Sequence, residues 1–372
     1  MTGASKVRTL FPQSGKISGK NSEFAIPPEP PVEAGAARRL LHKAARFLPA
    51  RALKPFGRPV VLGFHGVAPE IRDARIEVNH HERDVFYALA KTLRAEFQVL
   101  PLEALEHVRK APTRYNRAVF LTSDDGYANT LTLAADILDG LRLPWSLFLT
   151  TRHIETGEPN PLFVARLFFF FAPKGSYALP HLPSPVVLGE DRAAIAATTI
   201  SAMKSIDAEK ARETVAAMAH ALTAPGLDEL VSRFPSERYL SWDDVVGLAK
   251  RGVEIGAHAH WHWPMNAAQT DATIAEQAKL PRALISAHVG RCRYFAYPFG
   301  NVRDVSHAAW CAVRNAGYAA AFTTKSATLD AGGNAWLLPR YALEFREPHL
   351  ASLIPMLRIG NSRLLSWQRQ LR

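Results

Sequence analysis

The sequence predicts an α/β protein built around a parallel β-sheet, either open or closed into a barrel. Short apolar runs rich in β-branched and aromatic residues recur along the chain, bounded by turn residues. Segments with helical periodicity lie between these runs, and strands that alternate with helices favour parallel pairing. The 372 residues, 48% of them hydrophobic, are enough to bury the large core that such a sheet requires.

The predicted elements follow one another from residue 59. We predict strands at residues 60–64, 99–100, 118–121, 145–149, 253–256, 294–297, 319–323 and 336–343. We predict helices at residues 85–97, 131–141, 242–251, 272–289 and 305–316. Gly252 and Gly317 end two of these helices.

The pattern changes between residues 160 and 238, and the termini differ from the rest of the chain. Residues 160–238 are aromatic at first and then Ala-rich, which predicts a helical insertion between two strands. Residues 1–35 are polar and then Pro-rich, which is typical of a disordered arm. The predicted organisation is, in order, an arm at 1–35, a basic helix and linker at 36–58, the main domain at 59–345 with its insertion at 160–238, and a basic tail at 346–372.

The chain carries a formal net charge of +11, which favours an anionic partner. Anionic lipid and anionic glycan both fit this charge. We expect no nucleic-acid partner, because the sequence lacks a helix-turn-helix, a zinc finger and an RNA-binding signature. The two cysteines, Cys292 and Cys311, provide neither a disulfide framework nor a cysteine metal site.

Residues 36–48 have helical periodicity with a basic face, which is one place where this charge could meet a membrane. Arg38, Arg39, Lys43 and Arg46 share that face, so the helix could lie on an anionic bilayer; docking on the main domain is the alternative. The sequence shows neither the apolar segment of a secretory signal nor a membrane-spanning run. We therefore expect a cytoplasmic protein, with a peripheral location at the inner membrane face as one option.

Two adjacent carboxylates, Asp124 and Asp125, follow the apolar run at 118–121, and Gly126 supplies the turn that ends it. Adjacent carboxylates at the end of a buried strand oppose each other's ionisation and are partly desolvated. A metal cation removes that cost by taking one carboxylate as a ligand, and the other is then free to act as a base. A plain Asp-Asp-Gly turn is the alternative for the tripeptide taken alone.

A second group of polar residues, His258, His260 and His262, follows the run at 253–256. If the segment is helical, the spacing of four residues places His258 and His262 on the same side and turns His260 away. Together with Asp125 they form a set of two histidines and one carboxylate, which leaves positions open for water and substrate, as in hydrolytic zinc sites. A chance cluster of histidines is the alternative.

A third turn, at Pro298, Phe299 and Gly300, follows the run at 294–297. Proline and glycine bend the chain there, so a backbone N–H can face an oxyanion. The turn carries little information alone, but it completes a set of three loops that follow three predicted strands.

The ordered motifs resemble those of the polysaccharide deacetylase family, carbohydrate esterase family 4, which includes the chitooligosaccharide deacetylases. The resemblance covers about residues 59–343. The motifs have counterparts, in chain order, at residues 64–67, 122–126 (Thr-Ser-Asp-Asp-Gly for the family's Thr-Phe-Asp-Asp-Gly), 242, 258–262 (for the family's His-Ser/Thr-x-x-His), 295–300 and 338–340. The family implies a distorted (β/α) barrel of about seven strands with its site at the carboxyl ends of the strands.

The resemblance also implies an activity and roles for the motif residues. The protein would be a hydrolase that removes N-acetyl groups from a polysaccharide, oligosaccharide or glycolipid precursor containing an amino sugar such as N-acetylglucosamine. Asp125, His258 and His262 would hold a divalent metal, with zinc or another first-row ion expected. Asp124 would act as general base, and the backbone N–H of Phe299 would donate to the oxyanion.

The sequence departs from the family at several positions around the site. Ala296 stands where many members carry the arginine that orients the base, and Arg340 is a candidate to replace it. Ala259 stands at a position where the family has a hydroxyl residue, and Ser123 stands where it has phenylalanine. All three metal ligands and the base that the family implies are present.

The residue that protonates the leaving amine has two candidates. His65 lies at the end of the first predicted strand, and His349 lies in the region where the family carries its last motif. Two other functions stay open, namely a catalytically silent relative that binds metal or carbohydrate and a deacylase of a different amide. The motifs recognise the scissile group rather than the glycan, so they do not separate these substrates.

Overall fold

The computed structural model describes residues 58–223 and 225–343. The strands, in chain order, are β1 (Val60–Phe64), β2 (Gly66–Ala68), β3 (His80–Glu82), β4 (Gln98–Val99), β5 (Ala118–Ser123), β6 (Ser146–Leu149), β7 (Gly175–Tyr177), β8 (Val186–Leu188), β9 (Glu254–Ala257), β10 (Tyr294–Ala296), β11 (Ala320–Phe322) and β12 (Tyr341–Ala342). The α-helices are α1 (Arg83–Glu96), α2 (Leu105–Lys110), α3 (Ala135–Gly140), α4 (Thr151–Thr156), α5 (Pro161–Phe171), α6 (Arg192–Met203), α7 (Ala208–His220), α8 (Leu227–Arg233), α9 (Trp242–Lys250), α10 (Asp271–Val289) and α11 (His307–Asn315).

Seven parallel strands form one curved sheet in the order β11-β10-β9-β6-β5-β1-β12, and β4 pairs with the start of β5. β1 and β5 pair along their whole shared length, from Val60 opposite Val119 to Phe64 opposite Ser123. Every residue of these two strands is buried. A parallel sheet covered on both faces requires such continuous apolar strands, which is why the runs were visible in the sequence.

The segment from Leu338 to Ala342 joins the two ends of the sheet. Leu338 N donates to the Ala321 carbonyl in β11 at 2.9 Å, and Tyr341 pairs with Leu62 in β1. The sheet therefore curls into the expected distorted barrel. The strand predicted at 336–343 is regular only at Tyr341–Ala342, because Pro339 lacks an N–H and the chain changes partner strand there.

Helices cover the barrel through faces spaced three and four residues apart. In α1 the buried residues are Phe86, Leu89, Ala90 and Leu93. The predicted helices at 85–97, 242–251, 272–289 and 305–316 correspond to α1, α9, α10 and α11 within two residues at each end. The helix predicted at 131–141 begins as a π-helix at Thr130–Ala134 and continues as α3.

The predicted insertion, residues 160–238, contains α5 to α8 and lies between β6 and β9. It has an apolar core of its own, in which Phe163, Phe168 and Met218 are fully buried. The structure adds an antiparallel hairpin of β7 and β8 that the helical prediction lacked. Its strands are only three residues long, so they give no alternating pattern to detect.

Several predictions fall on residues outside those that the structure describes. They are the arm at 1–35, the basic helix with Arg38, Arg39, Lys43 and Arg46, the candidate acid His349 and the tail at 346–372. Among the described residues, helices that combine the length and the apolar character needed to cross a membrane are absent.

Gly256 in β9 tests how tightly the sheet is packed beneath the site. A Cβ at this position would lie 2.6 Å from the Phe148 ring and 2.9 Å from the Tyr294 carbonyl oxygen. We expect Gly256→Ala to lower the free energy of unfolding by roughly 1–3 kcal/mol, measured by urea denaturation. Gly247→Ala in α9 is the control, because its Cβ would meet nothing within 4 Å and should add roughly 0.5–1 kcal/mol. Equal stability of the two variants would contradict this packing.

Candidate active site

The two adjacent carboxylates lie on a sharp turn at the carboxyl end of β5. Asp125 has φ of 73° and Gly126 has φ of 91°, so both adopt the left-handed conformation. A Cβ at Gly126 would lie 2.8 Å from Leu149, which explains why glycine follows the carboxylates. A non-glycine residue in this conformation is strained, and such strain is concentrated at functional sites.

The histidine loop follows β9 and is not helical. The helical turn considered for His258 to His262 is therefore wrong. Ala259 has φ of 59° and His262 has φ of 51°, and two left-handed residues are incompatible with a turn of α-helix. The Gln277 side chain in α10 accepts the N–H groups of His260 and Trp261 at 3.0 and 2.9 Å. The loop nevertheless brings the His258 and His262 rings together, with centroids 5.1 Å apart.

Asp125, His258 and His262 converge at one point, with ligand atoms within 4.8 Å of one another. Asp125 Oδ1 lies 3.0 Å from His262 Nε2 and 3.5 Å from His258 Nε2. His258 Nδ1 donates to the Ala296 carbonyl at 2.8 Å, which leaves the Nε2 lone pair facing Asp125. His260, by contrast, bonds Thr151 Oγ1 through Nδ1 at 2.8 Å and stands apart from this group.

The electrostatics of these three residues suit a divalent cation. Both oxygens of Asp125 are buried, and no described residue gives them an aligned hydrogen bond. Burial raises the pKa of Asp125, but His262 and the neighbouring imidazoles outweigh it and hold that pKa well below its usual range. Burial lowers the pKa of His258 to about 4. An ionised carboxylate and a neutral imidazole are the forms that bind metal, so the donor set fits a cation such as zinc.

Asp124, the other carboxylate, is held by Arg340. Arg340 Nη1 and Nη2 donate to its two oxygens at 2.7 and 2.6 Å, and Nη1 also donates to Thr122 Oγ1 at 3.1 Å. Burial raises the pKa of Asp124, but Arg340 together with His258 and His65 outweighs burial and lowers it overall. Gly63 leaves room for the guanidinium, since a Cβ there would lie 3.2 Å from it. Arg340 is therefore placed to orient Asp124. Ala296, at the position where many family members carry an arginine, has no side chain that could do so.

The third loop places Phe299 beside the histidines. Phe299 has φ of 61°, and Thr324 Oγ1 donates to its carbonyl at 2.6 Å. Its ring lies 5.1 Å from the His262 ring. Within residues 58–223 and 225–343 the Phe299 N–H donates to no acceptor, so it is available to a ligand.

His65 lies at the end of β1, where its carbonyl accepts a hydrogen bond from Ser123 Oγ at 2.9 Å. Ser123 thus ties β1 to β5 beneath the two carboxylates. His65 is close enough to contribute to the lowered pKa of both Asp124 and Asp125. Of the two acid candidates, His65 is therefore near the site, and His349 is outside the described residues.

The end of the insertion supports the turn that carries Asp125. Ala128 N donates to the Arg238 carbonyl at 2.7 Å, and the Tyr127 and Tyr239 rings stack with centroids 5.2 Å apart. These contacts connect segments about 110 residues apart in the chain, and no local sequence signal indicates them.

A buried polar cluster lies behind this contact. His80 Nε2 donates to the Ser236 carbonyl at 3.0 Å, so His80 Nδ1, 3.5 Å from Glu237 Oε1, is unprotonated. Burial raises the pKa of Glu237 to about 8 and lowers that of His80 to about 3. Both side chains are therefore mainly neutral at pH 7, because burial of Glu237 outweighs the effect of the Arg166 guanidinium, which lies 3.8 Å from Glu237 Oε2.

Comparison with known proteins gives one family and one fold. The sequence profile of the polysaccharide deacetylase family matches residues 111–321, more than half of the chain. No curated protein matches the chain by sequence. Among solved structures, the Streptococcus pyogenes deacetylase PplD in complex with acetate is similar over 82% of this chain and 99% of its own, at 13% identity and a TM-score of 0.53. IcaB from Ammonifex degensii is similar over 82% and 99%, at 15% identity and a TM-score of 0.52. These likenesses support the barrel fold.

The ion pair between Arg340 and Asp124 can be tested through stability. Arg340→Met leaves a buried carboxylate without its partner and should lower the free energy of unfolding by roughly 3–5 kcal/mol, measured by urea denaturation. The double variant Arg340→Met with Asp124→Asn removes the charge as well and should be more stable than Arg340→Met alone. A single variant as stable as the wild type would contradict the pairing.

The neutral state of Glu237 predicts a pH dependence. Its carboxyl is neutral in the folded protein up to about pH 8 but ionises near pH 4.5 once exposed, so unfolding releases a proton between these values. The free energy of unfolding of the wild type, minus that of Glu237→Gln, should be greatest below pH 4.5. This difference should fall by up to roughly a few kcal/mol as the pH rises to 8. Urea denaturation across this range measures it. The exposed Glu209→Gln is the control, and a pH-independent difference for Glu237→Gln would refute the assignment.

Proposed function

Because the chain belongs to the polysaccharide deacetylase family, we propose that it removes N-acetyl groups from a polysaccharide, oligosaccharide or glycolipid precursor that contains an amino sugar. Family membership makes it a hydrolase of carbon–nitrogen bonds other than peptide bonds. One observation carries the specific proposal: the buried Asp125 carboxylate faces two imidazoles, beside a second carboxylate that Arg340 holds.

Asp125, His258 and His262 would hold a divalent metal ion, with zinc expected and other first-row ions suited to the same donors. The ion would supply Lewis-acid polarisation of the acetyl carbonyl and a more acidic water. The buried, unsatisfied oxygens of Asp125 and the Ala296 contact that orients His258 support this assignment.

Asp124 would act as the general base by accepting the proton of the attacking water. Its pairing with Arg340 keeps it ionised and fixes its direction, and its Oδ2 lies 3.9 Å from His258 Nε2, next to the proposed metal ligands. The Phe299 N–H would donate to the acetyl oxygen as negative charge develops there. Its left-handed backbone and the Thr324 contact hold it in place.

The departing amine must gain a proton, and the choice between His65 and His349 is part of the proposal. His65 is supported by its position at the end of β1 beside both aspartates. His349 is supported only by its position in the sequence.

The place of action is a separate proposal. The helix predicted at residues 36–48, which would carry Arg38, Arg39, Lys43 and Arg46 on one face, supports work at an anionic membrane surface, where a lipid-linked sugar precursor would be available. A net charge of +11 is in keeping with such a surface.

Acetate release tests the activity. N-acetylglucosamine oligomers and N-acetylated polysaccharides, incubated with added Zn²⁺, Co²⁺ or Mn²⁺, should release acetate, and a chelator should abolish it. Asp124→Asn should lower kcat by roughly 100-fold or more, since a positioned base contributes about 10²–10⁴-fold.

Metal analysis separates the rival functions. Asp124→Asn should retain bound metal, whereas His262→Ala should lose it. Full metal occupancy without acetate from any N-acetylated sugar would identify a silent relative or a deacylase of another amide, and would overturn the proposed reaction.

A further inference from the structure

The turn between α6 and α7 is fixed to the loop that follows the histidines. Asn266 Nδ2 donates to the Lys204 carbonyl at 2.8 Å. The Ile206 carbonyl accepts from Trp263 Nε1 at 3.3 Å and from Gln269 Nε2 at 3.2 Å. The insertion therefore holds its residue 204 in a defined position relative to the candidate active site.

Lys204 places its ammonium next to that site. Its Nζ lies 3.6 Å from the centroid of the Phe299 ring, and the centroid of that ring lies 5.1 Å from that of the His262 ring. The side chain is half-buried, and desolvation lowers its pKa. Within the described residues Lys204 forms no salt bridge, and the charge of Asp304 acts on it from a greater distance.

Arg212 in α7 makes a matching contact with the histidine loop itself. Its guanidinium lies 4.6 Å from the centroid of the Trp261 ring, directly beside His262 in sequence. Like Lys204, Arg212 forms no salt bridge with a described residue, and its guanidinium contacts the Trp261 ring instead. Trp261 and Phe299 both pack against the core of the insertion. The insertion thus brings one cation to the Phe299 ring, which lies against His262, and a second cation to the Trp261 ring of the same histidine loop.

Removing an ammonium from water costs free energy unless an anion repays it. The Phe299 ring face offsets part of this desolvation free energy. A methionine at position 204 would pack against the ring without any desolvation of a charge, so packing alone does not require a lysine there. Aromatic rings beside a deacetylase site can stack on sugar rings, and cations beside them can bind a negative substituent.

We propose that Lys204 and Arg212 form a subsite for an anionic group, a carboxylate or a phosphate, that the glycan carries at or next to the N-acetylated sugar. This inference rests on the proposed function, and it assigns the specificity of the reaction to the insertion. The net charge of +11 agrees with an acidic substrate.

Three probes separate the sources of the charge. They are neutral N-acetylglucosamine oligomers, hyaluronan oligosaccharides, which alternate N-acetylglucosamine with a uronate, and N-acetylglucosamine 6-phosphate. Binding is measured by calorimetry on metal-loaded Asp124→Asn protein, and acetate release is measured on the otherwise wild-type chain. We expect an anionic probe to bind more tightly than the neutral one, and the anionic probe that does so identifies carboxylate or phosphate.

The variants test the two cations. Adding Lys204→Met or Arg212→Met should lower the ratio of anionic to neutral affinity by roughly 3- to 10-fold, and Lys204→Arg should restore most of it. Lys210→Met is the matched control on exposed α7 surface and should leave the ratio unchanged. A ratio that Lys204→Met does not alter, or equal binding of all three probes, would overturn the subsite. If the chain with an intact Asp124 releases no acetate from any probe, while the Asp124→Asn protein still prefers the anionic probe, the proposed reaction is overturned and the subsite is not.

Discussion

The ion pair between Arg340 and Asp124 links the closure of the barrel to the chemistry of its site. Arg340 belongs to the segment that joins β11 to β1, and Asp124 directly follows β5 on the other side of β1. The guanidinium passes over Gly63, the β1 residue that lacks a side chain. A carboxylate this deeply buried requires a charged partner in fixed geometry, so the strand register around β1 determines whether the site can exist at all.

The three site loops share a backbone device. Each leaves a short buried strand and contains a non-glycine residue with positive φ: Asp125, His262 and Phe299. Such residues persist only where their surroundings hold them, and here the supports are the insertion end, Gln277 and Thr324. The site is thus pre-shaped by contacts from elements that carry none of its reactive groups.

Elements with a local sequence signal could be predicted, whereas loop conformations that depend on distant contacts could not. Continuous apolar runs located β1 and β5, because a parallel sheet buries both faces of its strands. The spacing of His258 and His262 suggested a helix, but a four-residue separation says nothing about the left-handed backbone at Ala259 that actually turns the rings together.

Other contacts were beyond reach for the same reason. Arg340 could be nominated as the partner of Asp124 only through a family resemblance, since 216 positions separate them. Gln277 and Lys204 carry no local pattern, and their importance appears only when α10 and the insertion are folded against the loops.

The late position of Arg340 in the chain also has a consequence for biosynthesis. Domains begin to fold while the ribosome is still extending them, yet a nascent chain that ends before Leu338 has every proposed metal ligand, an open strand edge and an uncompensated buried carboxylate. A prematurely terminated polypeptide would thus be open to cellular quality control instead of surviving as a half-competent enzyme.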